Sequence, residues 1–113
     1  MNIINVKIKA EPESSYPIII AERILDNAYE YIKKYTKAEK FLIATNTLVY
    51  KLYGGALKIP NSEFCILPDG EKYKTMEYLN VILDKALEMK LERSSAMISL
   101  GGGVAGDMTG FAA

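Results

Sequence analysis

Residues 95–111 read SAMISLGGGVAGDMTGF, with a short apolar run, three consecutive glycines and a helix-like segment directly abutting one another. Such a junction forces the chain out of a strand and into a helix within a few residues. Glycine makes this feasible because it reaches φ > 0 and carries no Cβ to obstruct a close neighbour. Gly101, Gly103 and Gly106 have the spacing G-x-G-x-x-G immediately after an expected strand, the setting in which that pattern has meaning. The helix that follows begins with unpaired N–H groups and the positive end of its dipole, so the expected ligand is the pyrophosphate of a dinucleotide. A purely structural strand-to-helix turn fits the same residues, with Gly106 and Gly110 letting the helix pack closely on a sheet. The pattern alone leaves both readings open.

The rest of the chain supplies the setting for this turn. Ile3 to Ala10 alternates in the manner of a half-buried strand, Glu11-Pro12-Glu13-Ser14-Ser15 is turn-forming, and Tyr16 to Ile20 reads as a second strand. The two are expected to pair antiparallel. From Glu22 the spacing becomes helical, with Ile24, Leu25, Ala28, Tyr31, Ile32 and Tyr35 on one face. Lys40 to Thr45 is a short apolar run of the kind found in buried parallel strands. Asn46 to Tyr53 suits a helix ended by Gly54-Gly55, and Glu63 to Leu67 suits another strand, closed by Pro68-Asp69-Gly70. A long helix is expected from Thr75 to Lys90, with Met76, Leu79, Ile82, Leu83, Ala86 and Leu87 on its buried stripe. Lys90 and Arg93 stand near its end, where cations favour the dipole. Ala96 to Leu100 is the last strand. Strands alternating with helices imply an α/β fold: a Rossmann-like, mainly parallel sheet with helices on both faces and an N-terminal antiparallel hairpin.

Composition removes several classes of function. The chain has 113 residues, the size of one domain, and Lys+Arg and Asp+Glu both number 14. Without net charge there is no basic field for nucleic acid or an anionic membrane. No apolar run approaches a membrane span, and Met-Asn-Ile-Ile-Asn is not a signal peptide. Cys65 has no partner, so the cytoplasm is the default compartment. There is no histidine, and hence no ordinary transition-metal site. Gly110-Phe111-Ala112-Ala113 is apolar and uncapped, which reads as the N-terminal piece of a longer protein.

In open α/β sheets ligands bind beyond the carboxyl ends of the strands, and three such ends carry suggestive residues. The first is Thr45-Asn46-Thr47, where Asn46 fits either a ribose contact or a helix cap. The second is Asp69-Gly70-Glu71-Lys72-Tyr73-Lys74, where Glu71 can accept from sugar hydroxyls and Lys74 can neutralise phosphate. A solvated turn with a Glu–Lys pair fits that segment equally well. The third is the glycine turn with Asp107. A carboxylate in a first helical turn is favoured by the dipole, yet it would repel a pyrophosphate, which suggests contact with hydroxyls or the nicotinamide end.

These segments, in this order, resemble the N-terminal domain of the 3-dehydroquinate synthase family. The residues that carry the resemblance are Thr45-Asn46, then Pro68-Asp69-Gly70-Glu71-Lys72-Tyr73-Lys74, then Gly101-Gly102-Gly103-Val104-Ala105-Gly106-Asp107-Met108-Thr109-Gly110-Phe111, with Arg93 before the last strand. Ala21 and Leu48 depart from the family pattern. The resemblance implies that residues 1–113 are the NAD-binding domain of a two-domain enzyme. The cofactor-binding residues would be Asn46, Asp69, Gly70, Glu71, Lys72, Tyr73, Lys74, Gly102, Gly103, Val104, Ala105, Gly106 and Asp107. The ribose would lie near Asn46 and Glu71 with Lys74 close by, the pyrophosphate over Gly102, Gly103 and Val104, and the nicotinamide side near Asp107. No catalytic residue or metal ligand is implied within this chain. A divalent metal, zinc or cobalt, would be held by the second domain, and the full-length enzyme would be a homodimer. The implied reaction converts 3-deoxy-D-arabino-heptulosonate 7-phosphate to 3-dehydroquinate and phosphate by transient oxidation, elimination, re-reduction and aldol closure, a step of the shikimate pathway. A related sugar-phosphate cyclase, a metal-dependent polyol dehydrogenase and a freestanding α/β binding module are the alternatives.

Overall fold

The computed structural model describes residues 2–8 and 14–113. Asn2–Ile8 (β1) and Ser14–Ile20 (β2) pair antiparallel, from Asn2 opposite Ile20 to Ile8 opposite Ser14. The expected strand residues Lys9 and Ala10, and the expected turn at Glu11-Pro12-Glu13, lie outside the described residues. This hairpin is a two-stranded sheet of its own, and Ile3 and Ile4 are both exposed rather than alternating in and out. No second layer covers that part of β1 among the described residues. Alternation survives on β2, where Pro17 and Ile19 turn toward the first helix while Tyr16, Ile18 and Ile20 face water.

That first helix does not run unbroken from Glu22. Arg23 adopts a left-handed backbone (φ 52°), a 3-10 turn spans Ile24–Asn27, and the α-helix proper is Ala28–Tyr35 (α1). Tyr35, expected on the buried face, is exposed.

The centre of the molecule is Phe41–Asn46 (β3). Thr47–Tyr53 (α2) carries the chain to Ser62–Leu67 (β4), and Met76–Glu88 (α3) carries it back to Ala96–Ser99 (β5). The three strands form a parallel sheet in the order β4-β3-β5. Gly103–Ala112 (α4) follows. Successive residues of β3 alternate between two cores. Leu42 and Ala44 meet Leu79 and Ile82 of α3 and Met108 of α4. Phe41 and Ile43 meet Leu57, Ile59 and the apolar face of α1. Tyr50 of α2 packs edge-on against Phe64 of β4 on that second side, with ring centroids 4.9 Å apart. Helices therefore cover both faces, as the alternating pattern predicts.

The long helix is shorter than its expected span and its stripe is narrower. Leu79 and Ile82 are buried and Leu83 and Ala86 partly so, but Met76 is 64 % exposed and Leu87 77 %. Met76 opens the first turn, and Leu87 lies one position round from Ala86 on the solvent side. The end of α3 explains why the apolar run continues. Lys90 takes a left-handed φ of 57°, its N–H reaches the Leu87 carbonyl, and the Leu91 N–H reaches the Ala86 carbonyl. This paired closure folds Met89 back into the core and fixes the helix end through backbone bonds. Cys65 is buried in β4, and desolvation raises its thiol pKa, so it stays protonated at neutral pH.

Candidate nucleotide site

The sheet order locates the site. From β3 the chain moves to β4 on one side and then returns to β5 on the other, with α2 and α3 on opposite faces. The direction of winding thus reverses between β3 and β5, and the crevice beyond their carboxyl ends is where such sheets bind ligands. Thr45-Asn46 and Leu100-Gly101-Gly102 form its two lips.

Asn46 is the cap of α2. Its Oδ1 accepts the Val49 N–H at 2.8 Å, which leaves the side-chain amide free to donate. Gly101 has φ 142°, a conformation that strains any L side chain. Gly102 precedes α4 in extended backbone, and the first intrahelical bond of that turn runs from the Gly106 N–H to the Gly102 carbonyl at 3.1 Å. The N–H groups of Gly103, Val104 and Ala105 have no acceptor among the described residues. A Cβ added at Gly102 or Gly103 would meet nothing within 4 Å. Free donors, a dipole end and bare backbone therefore converge, a combination suited to an anion.

Not every expected contact residue presents its side chain here. Ala105 is buried against the core, so only its N–H faces the crevice. Asp69, Glu71 and Lys72 are exposed, and Gly70 turns the chain at φ 131°. Tyr73 packs edge-on against Tyr78, with Lys72 Nζ over its ring at 5.1 Å. Between Asn46, Tyr73 and Val104 lies a cavity of about 20 Å³, far smaller than a nucleotide. A ligand would lie along the exposed glycines above it. Two larger hollows among the described residues lie elsewhere, of about 890 Å³ at the amino ends of the strands and about 510 Å³ between β2, α1 and β5. Neither touches the glycine turn.

Lys74 is not free to reach a ligand alone. Its Nζ lies 2.8 Å from Asp107 Oδ2 and 3.8 Å from Glu71 Oε1. This joins the loop after β4 to the first turns of α4. It also corrects the view of Asp107 as an unbalanced acid beside an anion, because a cation sits against it. Sequence reading missed the pair because 33 residues separate its members. It also gave no role to Thr45, whose Oγ1 donates to the Leu100 carbonyl at 2.7 Å. The available signal was a hydroxyl at the end of an otherwise aliphatic run.

Known proteins match this arrangement. Residues 64–113 match the family model described as 3-dehydroquinate synthase N-terminal. The 3-dehydroquinate synthase of Shewanella halifaxensis is 44% identical over 106 residues, covering 89% of this chain and 29% of the relative. That of Nostoc punctiforme is 42% identical, covering 99% of this chain and 32% of the relative. This chain is thus similar to 3-dehydroquinate synthases over most of its own length. It spans about three tenths of the length of these curated relatives. Crystal structures of 2-deoxy-scyllo-inosose synthase share the fold, with TM-scores of 0.69 and 0.70 at 22% and 21% identity, and cover 88% of this chain. One of them is complexed with carbaglucose-6-phosphate, NAD+ and Co2+. Against these chains the match covers 30% and 28%.

The Asp107 carboxylate, and after it Glu71, raise the Lys74 amine above its ordinary 10.5. A cation whose pKa is raised by folding contributes its stabilisation below the unfolded value and loses it as pH climbs through the folded one. The contribution of Lys74 to the pair is thus present at neutral pH and fades only above 10.5. Asp107→Asn should move the Lys74 titration back toward 10.5, read from its side-chain NMR signal against pH. The thermal midpoint should not change measurably, since Lys74 and Asp107 are 42 % and 62 % exposed. An unmoved Lys74 titration would show that the two groups are not paired in solution.

Proposed function

We propose that this chain is the NAD-binding, N-terminal domain of a longer two-domain 3-dehydroquinate synthase. One observation carries the reading: the donor-lined turn at Gly102–Ala105, bare of Cβ at Gly102 and Gly103, lies at the point where the sheet reverses its winding. The pyrophosphate of NAD fits there, over the Gly103 and Val104 amides, with Gly102 letting it approach. Asn46 keeps its amide for a ribose hydroxyl while its oxygen caps α2. Glu71 offers a carboxylate to the same sugar from the loop after β4. Lys74 lies against Asp107, so the nicotinamide side meets a carboxylate held by a cation.

When bound, NAD supplies an acceptor for a hydride and later returns it, so that a transient ketone can acidify a neighbouring C–H of the substrate. This domain's part is to hold and orient the cofactor. Among the described residues no group of three or more His, Cys, Asp or Glu side chains is placed to hold a metal ion. Zinc or cobalt would be ligated by the second domain, which would also hold the sugar-phosphate substrate. The whole enzyme would be a homodimer in the cytoplasm. No helix among the described residues is long and apolar enough to cross a membrane.

A related sugar-phosphate cyclase shares the fold, and the substrate separates the two. The full-length protein should release phosphate from 3-deoxy-D-arabino-heptulosonate 7-phosphate in the presence of NAD and a divalent metal, while residues 1–113 alone should not. Turnover by the isolated chain at the full-length rate, or none by the full-length protein, contradicts the assignment.

Gly103 separates binding from folding. It is the first helical residue and has open space around its Cα, so Gly103→Ala should keep or slightly raise the thermal midpoint, by less than the roughly 1 kcal/mol that alanine gains over glycine in a helix interior. The same methyl group would stand where the pyrophosphate belongs, and NAD affinity should fall about tenfold or more. Unchanged affinity in a folded Gly103→Ala protein would remove the pyrophosphate from this turn.

A further inference from the structure

Thr45 has a completely buried side chain (0 % exposed) in a strand whose other buried residues are Phe41, Leu42, Ile43 and Ala44. Packing alone would be served by valine, which has the same shape. What distinguishes threonine is its hydroxyl, and that hydroxyl has one specific partner. The β3–β5 ladder is assigned up to Ala44 opposite Ser99, and the Leu100 N–H then reaches the Ala44 carbonyl at 2.9 Å. A continued parallel ladder would next give the Leu100 carbonyl the Asn46 N–H. No such bond is among those described, and Thr45 Oγ1 donates to that carbonyl instead at 2.7 Å. The β3–β4 ladder, by contrast, runs on to Asn46 opposite Leu67.

We propose that Thr45 is a positioning residue of the nucleotide site: its hydroxyl ends the β3–β5 ladder and fixes the Leu100–Gly101 peptide from which the glycine turn departs. This rests on the NAD reading above and adds a residue to it. Fixing the Leu100 carbonyl fixes the plane of the peptide before Gly101, and hence the direction in which φ 142° sends the chain. The Asn46 side-chain amide lies 3.9 Å from where a Gly101 Cβ would be, and Val49 Cγ2 lies 3.7 Å away. The turn is thus held from below by Thr45 and flanked by the capped start of α2. The amides of Gly103 and Val104 are then aimed before any ligand arrives, so less ordering is required on binding.

The test uses Thr45→Val and Thr45→Ser in the full-length protein, with two readouts. The first is amide hydrogen exchange of the Gly101–Gly106 segment without NAD, and the second is NAD affinity. Thr45→Val should speed exchange in that segment and weaken NAD by about tenfold, the scale of one lost buried hydrogen bond. Thr45→Ser keeps the hydroxyl and should stay within about twofold of wild type in both. Wild-type exchange and affinity in a folded Thr45→Val protein would overturn the proposal. So would a Thr45→Ser protein that weakens NAD as much as Thr45→Val, since the methyl would then be what matters. Should Thr45→Val fail to fold, Thr45→Ser with intact affinity still supports the hydroxyl, and Thr45→Ser with tenfold loss still refutes it. Exchange that quickens in Thr45→Val while the wild type binds no NAD would overturn the NAD reading and leave the positioning role standing.

Discussion

The burial of β3 on every side is the constraint on which the rest depends. A parallel strand bonded along both edges must also cover both faces, and β3 does so with Leu42 and Ala44 toward α3 and α4 and Phe41 and Ile43 toward α1. Two crossovers on opposite faces follow from that need, and right-handed crossovers on opposite faces move away from the first strand in opposite directions. The winding therefore reverses beside β3. The crevice at its carboxyl end is a consequence of the topology and needs no special device.

What the topology leaves open is the chemistry of that crevice, which is decided by a few local choices. Glycines at 101–103 strip the turn of side chains, and α4 supplies free donors. The chain carries no net charge, so an anion would be drawn by oriented N–H groups rather than by a basic surface. Lys74 and Asp107 fit that scheme because each balances the other. Their value lies less in stability, given how exposed they are, than in tying the loop after β4 to α4.

How far the structure could be read from residues alone follows the range of each interaction. Strands and helices of the parallel sheet were legible because their periodicity is local, and so was the option of Asn46 as a cap, since its partner Val49 is three residues away. The hairpin pairing was legible too, but not the exposure of Ile3 and Ile4, because alternation reports a periodic face without saying whether anything covers it. Met76 and Leu87 misled for the same reason. Lys90 looked like a cation placed for the dipole, whereas its backbone performs the helix closure. The contacts that organise the crevice, Lys74 with Asp107 and Thr45 with Leu100, join residues 33 and 55 positions apart. No local pattern encodes such pairs.

The central claim is that the first turn of α4 holds the cofactor's pyrophosphate. It is tested most directly by titrating the protein with NAD while following its backbone amides by NMR. The amides of Gly102, Gly103 and Val104 should shift first and saturate together, with Asn46 and Lys74 moving alongside. Shifts confined to the apolar groove between β2, α1 and β5, with the glycine amides unmoved, would contradict the account.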